Sequence, residues 1–97
     1  MEIITKTEGN KATMKISGWL DTQTAPQLGE ALSGLEDSIT SLVFDFTNLE
    51  YISSAGLRQV IVAYKKKDGF KIINVSDEVY DVFSLTGFDS KIDIQKK

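Results

Sequence analysis

The chain has 97 residues, of which 41% are hydrophobic and 26% charged, with a net charge of −3, so one folded domain over residues 1–97 is expected rather than a disordered chain or a multidomain protein. It contains no His and no Cys, which removes disulfides, thiolate nucleophiles, imidazole bases and the usual zinc ligands together; a non-enzymatic protein with no cofactor is expected. The longest basic run is Lys65-Lys66-Lys67, too little for the electrostatic footprint of a nucleic-acid partner.

Met1 to Lys11 carries no basic segment followed by an apolar stretch, and no window is long enough to cross a bilayer, so no membrane insertion and a cytoplasmic location are expected. Ile3–Thr7 and Ala12–Ile16 are rich in β-branched residues and flank the turn sequence Glu8-Gly9-Asn10, which predicts a β-hairpin. Gly18-Trp19-Leu20-Asp21 then leads into a loop, with Thr22 or Thr24 as a helix cap and Pro26 in the first turn. Leu28, Ala31, Leu32 and Leu35 recur at spacings of three and four, predicting a helix with one apolar stripe. Ser41–Phe46 is a short hydrophobic run suited to a strand at the sheet centre.

Thr47 to Ile52 reads as a loop. Leu57, Val60, Ile61 and Tyr64 give a second helical stripe over about Ser54–Lys67, with the three lysines offsetting its carboxyl-terminal dipole and Gly69 ending it. Phe70–Val75 reads as a strand parallel to Ser41–Phe46. Asp77–Thr86 reads as a third helix with Val79, Val82 and Phe83 inward and Gly87 after it, and Lys91–Ile94 as a final edge strand. The expected fold is α/β: a mixed sheet of about four to five strands with helices packed mainly on one face.

The stretch from Asp45 to Arg58 joins the end of a central strand to the start of a helix, the edge where ligand sites in such sheets concentrate. The first N–H groups of a helix lack intrahelical partners and attract anions, a phosphoserine among them. Ser is also a preferred N-cap, and Ser53-Ser54 are read first as a plain helix start; one serine capping leaves its neighbour free. Gly56 in the first turn costs roughly 1 kcal/mol relative to Ala, which asks for a packing or access reason. Trp19 is expected to be partly in the core, whereas Val62 falls outside the helical stripe and reads as an exposed apolar contact.

With its Leu49, its Ser53-Ser54 before Gly56-Leu57 and the helix that follows, Asp45–Arg58 resembles the signature segment of the STAS domains, named for sulfate transporters and anti-sigma factor antagonists. Gly18-Trp19-Leu20-Asp21 resembles the family's Gly-x-Leu-Asp turn and Gly69–Val75 its next strand; the match runs from about Ile3 to Ile94. The resemblance implies an anti-sigma factor antagonist that works by partner switching. Its unphosphorylated form would bind an anti-sigma factor that is also a serine kinase, freeing the sigma factor; phosphorylation of a serine in the signature would release it and a serine phosphatase would reset it.

Many members place the acceptor hydroxyl directly before the glycine, where this chain has Ala55. The implied phosphoacceptor is therefore Ser54, with Ser53 as second choice. The implied partner-binding residues are Asp21, Thr22, Ser53, Ser54, Ala55, Gly56, Leu57, Arg58 and Val62, with Asp21 equally a loop-capping carboxylate and Arg58 equally a solvated helix residue. Ala55 also supports an alternative, a STAS scaffold subunit of a transport or stress-signalling assembly that is not phosphorylated. A small-molecule-binding or enzymatic domain at the same helix entrance ranks below both.

Overall fold

The computed structural model describes all 97 residues. The chain opens with β1 (Glu2–Glu8) and β2 (Lys11–Leu20), an antiparallel pair in which Glu8 lies opposite Lys11. Gly9 turns the chain between them at φ 61°, a conformation that disfavours any side chain. There follow α1 (Ala25–Ser33), β3 (Ser41–Asp45), β4 (Leu49–Ile52), α2 (Ser54–Lys66), β5 (Gly69–Val75), α3 (Asp77–Thr86), a short 3-10 turn and β6 (Asp93–Lys96). The strand order is β1-β2-β3-β5-β6, with β4 added beside β2. Every pairing except β1 with β2 is parallel, and β3 is the middle strand of the five, as its apolar run predicts.

Register decides which side chains share a face. Ala12 is aligned with Leu42 and Leu42 with Phe70, and Met14 with Phe44 and Phe44 with Ile72. These residues form one buried cluster with Leu28 and Leu32 of α1, Leu57, Val60 and Ala63 of α2, and Val79 and Phe83 of α3. All three helices therefore cover the same face, and the mixed α/β sheet with helices mainly on one side is observed. Phe44 meets Phe70 edge to face, with ring centroids 5.0 Å apart at 89°, a geometry worth about 0.5–1.5 kcal/mol beyond area burial. The opposite face carries Lys11, Thr13, Lys15, Val43 and Asp45 at alternate positions.

Several boundaries differ from the sequence pattern. β2 continues through Gly18 to Leu20, and Leu49–Ile52, expected in a loop, forms β4; the sheet has six strands rather than four to five. α1 stops at Ser33, short of Leu35. α2 stops at Lys66, with Lys67 extended at φ −121° and ψ 120°, so Gly69 does not end the helix but begins β5. There a Cβ would lie 3.2 Å from the Ser41 hydroxyl, which makes close strand packing the reason for that glycine. Gly87 does end α3, at φ 80°. Val79 and Phe83 are buried as expected but Val82 only partly, and β6 lies two residues later than the pattern indicates.

Candidate functional site

The site begins with a change of partner along β2. Its residues 11–15 pair with β3 and 18–20 with β4. Gly18, at φ 90°, marks the break and donates its N–H to the Asn48 carbonyl at 3.0 Å; an L side chain there would be strained. The last carbonyl of β2, on Leu20, accepts the Ser53 N–H at 2.9 Å. Strand end and helix entrance are thereby joined.

Gly56 sits against this junction. A Cβ at that position would lie 2.6 Å from the Leu20 carbonyl oxygen, 2.7 Å from Leu20 Cγ and 3.1 Å from Ile52 Cγ1. Packing, rather than access for a partner, accounts for this glycine. Gly56 and Leu57 are both buried, so among the residues expected to bind a partner they position the others and offer no side chain of their own.

The two serines divide the work of starting α2. Ser53 is the N-cap, at φ −98° and ψ 177°; its hydroxyl accepts the Gly56 N–H at 3.3 Å and its carbonyl accepts the Leu57 N–H at 2.8 Å. Ser54 is the first helical residue, is exposed, and its hydroxyl makes no hydrogen bond within the chain. Replacing Ser53 by Ala is expected to cost about 1 kcal/mol, the usual worth of an N-cap, and to lower the thermal midpoint by roughly 4–8 °C for a domain of this size. A thermal melt followed by circular dichroism reads this directly.

Ser54, Arg58 and Val62 recur at intervals of four and so share one stripe of α2. Arg58 is exposed and takes part in no ion pair; the one salt bridge of the molecule links Lys96 to Asp77 at 3.4 Å. Val62 is not the exposed contact its position suggests. It is half-buried in a shallow groove between α1 and α2 that Pro26, Gly29, Gln59 and Lys66 also line, because α1 packs closer to this flank of α2 than the stripe alone indicates. Ala55 is half-buried and Thr22 exposed.

Asp21 follows Leu20 and so lies beside the helix entrance. Its Oδ1 accepts the N–H groups of Gln23 at 3.0 Å and Thr24 at 3.1 Å, with the Thr24 hydroxyl 3.1 Å away. Thr24 occupies the N-cap position of α1 but its side chain does not cap; its hydroxyl donates to the Trp19 carbonyl at 2.7 Å and accepts the Asp21 N–H at 2.8 Å. Neither Thr22 nor Thr24 serves as the expected cap, because the Asp21 carboxylate already organises this turn. The Thr24 backbone N–H outweighs burial and, with the Thr24 hydroxyl and the Gln23 N–H, holds the Asp21 carboxyl below its ordinary value of 3.8. Asp21 is a fixed negative charge at neutral pH.

A second carboxylate is organised at the end of β3. Burial pushes the Asp45 pKa up, but the Thr47 hydroxyl, the Asn74 amide at 3.2 Å, the Thr47 N–H at 3.0 Å and the charge of Lys15 together hold it below 3.8. Asn74 reaches it from a left-handed backbone at φ 59°. A depressed carboxylate stabilises the fold above its unfolded pKa, and that contribution is lost as pH falls through the folded value. Asp45→Asn should therefore be less stable than the parent by a constant amount from neutral pH down to about pH 4, with the gap closing at lower pH. Urea midpoints measured across that range test it.

Trp19 and Tyr51 form a cross-strand pair on β2 and β4, with centroids 5.0 Å apart and planes at 41°. They are 55% and 44% exposed, and Trp19, expected to be partly in the core, lies outside the core cluster. The register shift beside Gly18 turns it outward. The pair becomes visible only once Leu49–Ile52 is known to be a strand.

A family model for the STAS domain matches residues 2–97. The chain belongs to the STAS domain family. Among its relatives, the anti-sigma-B factor antagonist of Bacillus subtilis (strain 168) is 31% identical over 96 residues, spanning 95% of this STAS domain and 88% of the relative. The protein of the same name from Staphylococcus aureus (strain NCTC 8325) is 28% identical over 92 residues, spanning 90% and 85%. An anti-sigma factor antagonist from Mycobacterium paratuberculosis superposes with a TM-score of 0.89 at 25% identity, covering 99% of this chain and 86% of that one. No helix of this STAS domain is long and apolar enough to cross a membrane.

Proposed function

We propose that this STAS domain is a cytoplasmic, non-enzymatic anti-sigma factor antagonist that works by partner switching, with Ser54 as the phosphoacceptor. The observation that carries the reading is the division of labour at α2. The Ser53 hydroxyl is committed to the Gly56 N–H, whereas Ser54 is exposed with an unpaired hydroxyl. In the unphosphorylated state the surface of Asp21, Thr22, Ser54 and Arg58 binds an anti-sigma factor that is also a serine kinase. The kinase moves the γ-phosphoryl group of ATP to the Ser54 oxygen, releasing ADP and the hydroxyl proton, and a serine phosphatase later hydrolyses the ester.

A phosphate adds about −1.5 to −2 charges. At the first position of α2 it faces the unpaired N–H groups of the helix start, where a negative charge is favourable by about 0.3–1 kcal/mol. Within the partner interface the same charge is added beside the fixed carboxylate of Asp21. The domain keeps its fold and loses its complex. The test is incubation with ATP and anti-sigma factor kinases of the host, followed by intact mass and peptide mapping. One phosphate on Ser54 is the expected result, and a phosphate on Ser53 would move the acceptor.

Ala55, in the place where the family pattern puts the hydroxyl, favours a second reading, a STAS scaffold subunit that is not phosphorylated. No mass gain with any of the host kinases, together with retained binding to other STAS proteins, would support it.

A further inference from the structure

The outer edge of the sheet is β1, a seven-residue strand with no neighbour on its far side. Unpaired edges of this length template further strand pairing unless charge or distortion blocks it. Which of its backbone groups face outward follows from the ladder. The Ser41 N–H donates to the Asn10 carbonyl, so the even-numbered residues of β2 direct their backbone groups to β3 and the odd-numbered ones to β1. Opposite Lys11, Thr13, Lys15 and Ser17 stand Glu8, Lys6, Ile4 and Glu2. Ile3, Thr5 and Thr7 therefore present their N–H and C=O groups to solvent, and Thr5 and Thr7 are exposed.

We propose that β1 is a homodimer edge, pairing antiparallel with β1 of a second copy about a two-fold axis at Ile4. That register is singled out by the pattern of charge. With Ile4 opposite Ile4, Ile3 and Thr5 exchange backbone hydrogen bonds on both sides of the axis, Ile4 occupies a non-hydrogen-bonded pair where side chains approach most closely, and each Glu2 faces the other copy's Lys6. A register centred on Thr5 also satisfies the backbone, but it places Glu2 opposite Glu8 twice, a repulsive arrangement. Ile4 is 46% exposed on the helix-free face, and pairing would cover it. Edge pairing also leaves the entrance of α2 open to a different partner.

Two short strands make a small contact of the weak, transient kind, so association is expected only at high protein concentration. Sedimentation equilibrium of the full chain up to about 2 mM should show a monomer–dimer equilibrium that weakens with added salt. Lys6→Glu, which sets Glu against Glu at both ends of the pair, should weaken association by at least about tenfold. Glu2→Lys combined with Lys6→Glu should restore it, because the swap rebuilds both pairs in reverse. Glu2 and Lys6 are exposed, and circular dichroism of each variant verifies the fold. A parent chain that stays monomeric throughout, a dimer indifferent to Lys6→Glu, or a double variant that stays as weak as the single one would each overturn the proposal.

Discussion

Ser54→Ala is expected to bind the anti-sigma factor kinase as tightly as the parent while taking up no phosphate, and Ser54→Asp to bind at least about tenfold more weakly, a change of about 1.4 kcal/mol. The effect is electrostatic. Ser54 lies on the exposed stripe shared with Arg58, next to the turn that holds Asp21 ionised, so a second negative charge concentrates repulsion against acidic groups of a partner. The same charge sits at the favourable end of α2, and Ser54→Asp should leave the thermal midpoint unchanged or slightly raised. Isothermal titration with the kinase, together with thermal melts, separates the two effects. Weakened binding accompanied by a fallen midpoint would mean that the substitution damages the fold, which would remove the support for a charge switch. Equal binding by Ser54→Asp and the parent would argue against Ser54 as the acceptor.

Gly56→Ala is expected to destabilise the domain by about 2 kcal/mol. The new Cβ would meet the Leu20 carbonyl oxygen at 2.6 Å, and that oxygen is already bonded to the Ser53 N–H. The clash is with backbone, which cannot rotate aside, so α2 must shift from the end of β2; overpacking of this kind costs about 1–3 kcal/mol. Loss of the Ser53–Leu20 bond adds about 0.5–1.5 kcal/mol, and the better helix propensity of Ala returns only about 1 kcal/mol. The thermal midpoint should fall by roughly 8–16 °C. Gly29→Ala is the internal comparison: its Cβ would meet only the flexible end of Gln59, at 3.2 Å, and the variant should be neutral or up to about 1 kcal/mol more stable. Similar behaviour of the two variants in urea titrations would refute the close-approach account of Gly56.

The elements with a strong local signature in residue type or spacing were the legible ones. The β-branched segments of β1 and β2 around their turn sequence, the apolar run of β3 and the stripes of α2 and α3 each follow from residue type and spacing, and the structure forms these elements there. β4 was not legible for a physical reason. Over Leu49-Glu50-Tyr51-Ile52 only the two ends are buried, so the two-residue alternation of a half-buried strand is absent, and the segment is held by pairing with the far end of β2 rather than by its own pattern. Gly18 misled similarly. In sequence it reads as a turn, whereas in the fold its positive φ lets β2 continue with a new partner. Trp19 then faces outward, which its hydrophobicity does not foretell. At the candidate site, the two-serine helix start was visible from residue types, but which serine caps depends on the direction of the chain leaving β4, and that was not.

The bond from the Ser53 amide to the Leu20 carbonyl has a consequence for how the helix entrance exchanges its protons with solvent. The Ser53 amide is bonded to the Leu20 carbonyl across the junction, so its hydrogen should exchange with deuterium only when β2 and α2 separate. The Leu57 amide, bonded to the Ser53 carbonyl, should exchange only when the first turn of α2 opens. The amides of Ser54 and Ala55 lie between them in the first turn, without helical acceptors, and should exchange at near-unprotected rates. Two mobile protons, bounded by Ser53 on one side and on the other by Gly56, whose N–H the Ser53 hydroxyl holds, and Leu57, describe a rigid platform with an open centre. Reading those five amides across a titration with a partner would reveal whether occupancy of the site tightens the open centre alone or the strand and helix around it.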